Sequence, residues 1–232
     1  MGRRYGAEKF IAYFQSFTNT YAPADRLRSL YEEALAVEGV AGLAIGTRPD
    51  CAGDDVLDLL QELNGKTWVM VEYGLQSAHN RTLSLINRGH TFAVFRDAVQ
   101  RTRKRGIDVT VHVIIGLPGE TKDDMLDTAR ILGTMDIQGL KIHLLYVVRG
   151  TRLNDMLDKG EYQCLSREQY IDIVGDFLAL VSPDIIIHRL TGDPHREELV
   201  SPEWALEKNL NLNMLRRSLN ERNIIQGCNY KL

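Results

Sequence analysis

The stretch that most constrains this chain is Val111–Thr121, VHVIIGLPGET. An apolar run (Val111, Val113, Ile114, Ile115) ends at Gly116, and Leu117-Pro118-Gly119 follows. Pro118 has no amide hydrogen to give a sheet ladder, and Gly119 accepts a positive φ, so a strand must stop and turn here. Thr121 is a good helix N-cap, and Asp123 and Asp124 suit the positive end of a helix. The segment predicts a strand, a sharp glycine turn and a helix start. In α/β folds that junction is where ligands sit.

The same alternation runs through the rest of the chain. Lys9–Gln15 reads as a first strand, and Pro23 opens a helix with Leu27, Leu30, Tyr31, Ala34 and Leu35 on one face. Gly42–Thr47 is a second strand, after which Pro49 holds Arg48 extended. Asp54 or Asp55 starts a short helix through Val56, Leu60 and Leu63. Trp68–Leu75 is the third strand and runs into a loop lasting to His90. Thr91 caps a helix with Phe92, Phe95, Val99 and Thr102 on one side, ended by Gly106. Strand four is Asp108–Ile115, followed by a helix over about 121–133, and strand five is Leu140–Val148. Ser166 and Gln169 form a capping box for a helix through Ile173, Phe177 and Val181. Strand six is Asp184–Leu190, and a last helix opens at Ser201-Pro202 and runs to about Asn220. Apolar strands alternating with helices predict a parallel sheet covered by helices. The expectation is one α/β domain over residues 1–232, with a C-terminal helix and tail from about residue 200.

At 232 residues, 44% of them hydrophobic, the chain can bury a full core. A net charge of −3 argues against bulk electrostatic binding to nucleic acid. The densest basic run, Arg101, Arg103, Lys104 and Arg105, falls in a helix's last turn, where cations suit the dipole. No apolar run approaches the ~18–20 residues that span a bilayer, and no signal peptide opens the sequence, so no membrane partner is expected. Cys51, Cys164 and Cys228 are odd in number and far apart, which suggests a reducing compartment; cytoplasm is the expected location.

Strand parity sorts the polar groups. Met70, Glu72, Gly74 and Gln76 share one face, His112, Ile114 and Gly116 another, and so do Lys141 with His143 and Ile186 with His188 and Leu190. A lone strand histidine is more often a hydrogen-bonded core or rim residue than a ligand contact. Glu72 could simply pair with Lys141. Ionisable groups on four adjacent strands favour a shared polar cavity near the carboxyl ends.

Four segments carry a family resemblance: GTRPD (Gly46–Asp50), GLQSAHNRTLSLINRGH (Gly74–His90), IIGLPGET (Ile114–Thr121) and KIHLLYVVRGT (Lys141–Thr151). In order and in strand context they resemble the radical S-adenosylmethionine (SAM) superfamily. The likeness is closest to a bacterial family of iron–sulfur oxidoreductase-like proteins, to which YFQSFTNTYAP (Tyr13–Pro23) also fits. The chain is also similar to the catalytic subunit of elongator and to oxygen-independent coproporphyrinogen oxidase. The resemblance implies a partial (β/α)6 TIM-type barrel that binds SAM beside a 4Fe–4S cluster and generates a 5′-deoxyadenosyl radical. It implies that Gln76 and Arg88 contact the cofactor's ribose and methionyl carboxylate, the latter by a paired charge-assisted bond. Thr47 and Arg48 end a strand that supplies a further polar contact. Gly116, Leu117 and Pro118 let backbone approach the adenine, and His143 and Tyr146 are adenine-side or substrate-side candidates. Glu72, Ser77 and His112 complete the candidate cofactor-binding set.

Two departures stand out. The coproporphyrinogen-oxidase relatives carry an acidic residue where this chain has His112, and the elongator-like motif has glutamate at the position of Gly46. No CxxxCxxC occurs in the sequence, and Cys51, Cys164 and Cys228 are too dispersed for three thiolates to converge on one cluster. The resemblance therefore implies a chain shortened at its N-terminus, without the cluster-bearing first strand. On that expectation the cluster belongs only to the full-length protein, and this polypeptide does not carry out the radical reaction. The exposed edge of Lys9–Gln15 would then pair with a second copy, as a homodimer, or be covered by the N-terminal residues. Two other readings stay open: a (β/α)-barrel enzyme with an anion site at GLPGET, and a non-catalytic interaction module.

Overall fold

A computed structural model describes residues 6–231. Eight strands occur among them: β1 (Phe10–Phe14), β2 (Val40–Thr47), β3 (Trp68–Gln76), β4 (Asp108–Ile115), β5 (Gly139–Leu144), β6 (Val147–Val148), β7 (Ile186–Arg189) and β8 (Leu199–Ser201). Six of them are hydrogen-bonded in the order β1-β2-β3-β4-β5-β7, while β6 and β8 form a separate antiparallel ribbon. β1 with β2, β2 with β3 and β5 with β7 pair in parallel register. Each pair of neighbours is joined through helix: α1 (Ala24–Leu35), α2 (Asp54–Asn64), α3 (Asn80–Leu85), α4 (Phe92–Lys104), α5 (Lys122–Gly133), α6 (Arg152–Asp158) and α7 (Arg167–Leu180), with α8 (Lys208–Glu221) following β8. Sequential parallel strands with helical crossovers are the topology of a partial (β/α)6 TIM-type barrel, the expected class.

The chain divides into two compact units. Among the described residues the first holds 6–75, 90–111 and 136–138, and the second holds 76–89, 112–135 and 139–231. In the first, Tyr31, Leu43, Ile45, Leu57, Leu60, Tyr73 and Phe95 are buried. Phe14 meets Tyr31 edge-on at 5.2 Å, and Tyr73 meets Phe95 edge-on at 6.5 Å, the geometry aromatic quadrupoles prefer. The basic run at the end of α4 is also paired with carboxylates. Arg101 reaches Asp97 at 2.7 Å, Arg105 reaches Asp58 at 2.7 Å and Asp54 at 3.1 Å, and Arg103 reaches Asp136 at 3.1 Å.

The second unit packs Leu126, Ala129, Leu132, Ile142, Leu144, Val174 and Phe177. Both of its long crossover helices start on capping boxes, Thr121 with Asp124 on α5 and Ser166 with Gln169 on α7. Lys122 holds Asp172 and Asp176 at 2.5 and 2.6 Å, so the start of α5 is tied to α7 by charge as well as by packing.

Several expectations are corrected. Strand five ends at Leu144, because Val147–Val148 pairs with Leu199–Ser201 instead. The supposed loop before His90 contains α3, whose six residues are too few to show a period. Helix α6 is likewise short and rests on its Thr151 cap. The last helix begins at Lys208 rather than Ser201, since Ser201 belongs to β8 and Glu203–Leu206 is a 3-10 turn. Trp204 in that turn lies 5.7 Å from Tyr170 and donates its indole hydrogen to the Leu165 carbonyl at 3.3 Å. Strand β7 is shorter than read, and Ile186 and His188 on it are exposed. β1 ends the sheet order, and Ile11 is 44% exposed there; the expected cover by the N-terminal residues falls on residues 1–5, outside the described residues. Among the described residues no helix is long and apolar enough to cross a membrane.

Candidate functional site

In the first unit the candidate residues sit where β2 and β3 run through the core. The Thr47 hydroxyl lies 2.6 Å from that of Thr20, which also donates to the Cys51 carbonyl at 2.6 Å. Arg48 turns back on Asp50, with Nε donating to Oδ1 at 3.0 Å and Nη2 to Oδ2 at 2.5 Å. Burial alone would raise the Asp50 carboxyl, but the Arg48 guanidinium outweighs it and holds the group below the usual carboxylate range. Glu72 is buried in the middle of β3 and accepts the Tyr13 hydroxyl at 2.6 Å. Its register partner on β2 is Gly46. A Cβ at Gly46 would come within 3.2 Å of the Phe14 carbonyl oxygen, a tight contact.

In the second unit the chain leaves β3 through Gln76, which adopts φ +77°, a conformation that side-chain-bearing residues rarely take. Ser77 is buried and donates to the Glu120 carboxylate. Its oxygen also accepts the His79 amide at 3.0 Å. The Ala78 amide donates to the Thr128 hydroxyl at 3.2 Å, the His79 ring Nε2 donates to the Asp124 carbonyl at 2.8 Å, and Arg81 pairs with the Asp124 carboxylate at 2.5 Å. Four contacts, from Ser77, Ala78, His79 and Arg81, thus pin one turn to Glu120 and to α5. Burial raises the Glu120 carboxyl above its ordinary range, an effect partly offset by hydrogen bonds from Ser77 and Thr82. Half-buried Arg88 sits between Asn87 at φ +53° and Gly89 at φ +81°.

The GLPGET turn has the anticipated form. Gly116 and Gly119 have φ +94° and +76°, and the Leu117 and Pro118 side chains are buried. What this turn can offer a ligand is therefore backbone. Behind it, Tyr162 donates its hydroxyl to the Gly116 carbonyl at 3.0 Å. A Cβ at Gly116 would meet Leu165 at 3.2 Å. The N-terminus of α5 is closed by its own carboxylate: Asp124 accepts the Thr121 amide at 2.8 Å. Negative charge already placed there weighs against an anion cradle. On the adjacent strands, the His112 and His143 rings stack at 5.1 Å and 20°, with one ring N–H shared between Nδ1 and Nε2 at 3.2 Å. Tyr146 packs over Gly192, where a Cβ would lie 3.2 Å from its ring.

The structure joins Thr47 to Thr20, Glu72 to Tyr13, Ser77 to the GLPGET turn, and His112 to His143. Thr20, Tyr13, Glu120 and Tyr162 were not foreseen. Glu120 stands inside the most conspicuous motif, but only its contact with Ser77 gives it a role.

The model of the radical SAM superfamily matches residues 2–132, and that of the radical SAM C-terminal domain matches residues 137–221. The chain belongs to the radical SAM superfamily. It is 45% identical to YtqA of Bacillus subtilis over 219 residues, covering 94% of this chain and 68% of that protein. It is 37% identical to YhcC of Escherichia coli, over 94% of this chain and 71% of that one. Among solved structures it superposes with TM-score 0.81 on the archaeal Methanocaldococcus infernus Elp3 with an N-terminal deletion. That likeness covers 97% of this chain and 57% of the other at 19% identity, and it bears on the fold alone.

Radical SAM proteins bind SAM and a 4Fe–4S cluster. The residues present fit the first. An amide side chain at Gln76, a guanidinium at Arg88 and the exposed Gly119 end of the glycine turn suit ribose hydroxyls, a carboxylate and an adenine edge. They do not fit the second: among the described residues no three His, Cys, Asp or Glu side chains converge to hold a metal.

Proposed function

We propose that this chain supplies the SAM-binding core of a radical SAM enzyme. When SAM is bound and reduced by a cluster, it provides a 5′-deoxyadenosyl radical. The observation that carries the reading is the left-handed Gln76 and the pinned turn that follows it to Arg81, in the same compact unit as the glycine turn after β4. Gln76 would hold the ribose and Arg88 the methionyl carboxylate as a charge-assisted pair, with the Gly116–Gly119 turn on the adenine side. The His112–His143 pair, held ring to ring by one shared N–H, and Tyr146 serve the substrate side. In the first unit, Thr47, Arg48 and Glu72 are each held by a neighbour, Thr20, Asp50 and Tyr13 respectively. The 232 residues contain no CxxxCxxC, so radical generation is assigned to the core only in company with a cluster-bearing segment.

Titration calorimetry with SAM tests the reading. Wild type is expected to bind, and Gln76→Ala and Arg88→Ala to weaken binding by about tenfold each. Equal affinity for wild type and both variants would remove these two residues from the site.

A further inference from the structure

Gln76 carries a φ of +77° without being glycine, so something outside its own backbone must hold it there. The next residue shows what does. The Ser77 hydroxyl has one proton, and that proton goes to the Glu120 carboxylate, while the same oxygen accepts the His79 amide. Both capacities are in use, the side chain is buried, and its rotamer is thereby fixed. The carboxylate is itself built into the other turn. Glu120 follows Gly119 directly, and its amide donates to the Leu117 carbonyl at 3.2 Å. One acidic side chain therefore joins a turn that offers backbone to a turn that offers an amide side chain.

We infer that Glu120 is a positioning residue for SAM recognition: through Ser77 it holds Gln76 in the left-handed turn and locks that turn to Gly116–Gly119. The inference rests on the reading of Gln76 given above. Glu120 itself touches no cofactor; it acts through the geometry of its neighbours. The Ala78–Thr128, His79–Asp124 and Arg81–Asp124 contacts anchor the rest of the same loop to α5, but none of them reaches the residue beside Gln76. Burial favours the protonated form of Glu120, so an uncharged acceptor of the same shape should do the same work.

The test is a double-mutant cycle read by calorimetry with SAM, alongside hydrogen–deuterium exchange of residues 77–81 without ligand. Glu120→Ala should weaken SAM binding about tenfold, Glu120→Gln should stay within about twofold of wild type, and Glu120→Ala in a Gln76→Ala background should add less than about twofold. Exchange at 77–81 should quicken in Glu120→Ala and not in Glu120→Gln. Ser77→Ala, which removes the donor and leaves the carboxylate, should reproduce Glu120→Ala and stands in for it if that variant does not fold. Independent, multiplying effects of Glu120→Ala and Gln76→Ala would overturn the inference while leaving the binding site intact. Absence of SAM binding by wild type would instead strike the functional reading. The latch would then be judged by exchange alone, and unchanged protection at 77–81 in both Glu120→Ala and Ser77→Ala would overturn it.

Discussion

The turns that leave β2 and β3 invite comparison. Both carry residues that the family resemblance assigns to the cofactor, yet they are built on opposite principles. After β2, the guanidinium closes on a near neighbour, Arg48 being held at two points by Asp50, two residues on, while Thr47 shares a hydrogen bond with Thr20, 27 residues back. After β3, the backbone is bent into a left-handed conformation and fixed by groups some forty to fifty residues away in sequence, Glu120, Asp124 and Thr128. A ligand carboxylate arriving at Arg48 must compete with a carboxylate already there, and the net gain from exchanging one for the other is small. At Gln76 the folded protein has instead stored strain in a residue that a tertiary clamp holds in one pose. Matching a motif does not make two strand ends equivalent.

That contrast can be broken most sharply by binding. Arg88→Ala and Gln76→Ala should each weaken SAM binding by about tenfold, whereas Arg48→Ala should change it by less than about threefold. A larger loss at Arg48 in calorimetry would mean that Asp50 yields to the ligand and that the two turns work alike. Stability gives the next largest effect. Thr20→Val leaves the Thr47 hydroxyl and the Cys51 carbonyl without their partner in a buried place and should lower the unfolding free energy by ~1–3 kcal/mol in urea titrations. Thr121→Ala, which removes one half of the α5 cap, should cost about 1 kcal/mol.

Acid–base titration sharpens the comparison further, because the carboxyls beside the two turns shift in opposite directions. Asp50 lies below its ordinary value in the folded protein, so its contribution is present above the unfolded value and is lost as pH falls through the folded one. Glu120 lies above its ordinary value, so the folded state holds the proton more tightly, and stability declines as pH rises from the unfolded value through the folded one. Glu120→Gln should abolish that decline and leave the protein no less stable than wild type at neutral pH. Chemical denaturation between pH 4 and 8 reads the slope; a wild-type slope retained in the variant would show that another group causes it. The smallest effect is at Gln76 itself. Gln76→Gly relieves the left-handed strain but frees the unfolded chain, and should alter stability by less than about 1 kcal/mol while weakening SAM binding.

Much of the fold was legible because the signals are local. The N-cap and acidic first turn at Thr121–Asp124, the capping box at Ser166 and Gln169, the cap at Thr91 and the apolar strand at Asp108–Ile115 are all encoded within a few residues, and the structure places each where it was read. The ordered motifs likewise marked the superfamily, which the family models bear out. Tertiary structure decided what depends on partners far along the chain. Val147–Val148 has the same β-forming character as the strand before it, and only the distant Leu199–Ser201 segment draws it into a second sheet. Glu120 is an ordinary residue of a turn until Ser77, 43 residues away in sequence, is brought to its carboxylate, and Glu72 could have paired in several ways before Tyr13 reached it. Periodicity and capping act over one or two turns of chain; buried polar atoms take whichever partner the packed fold delivers, and no local pattern names that partner in advance.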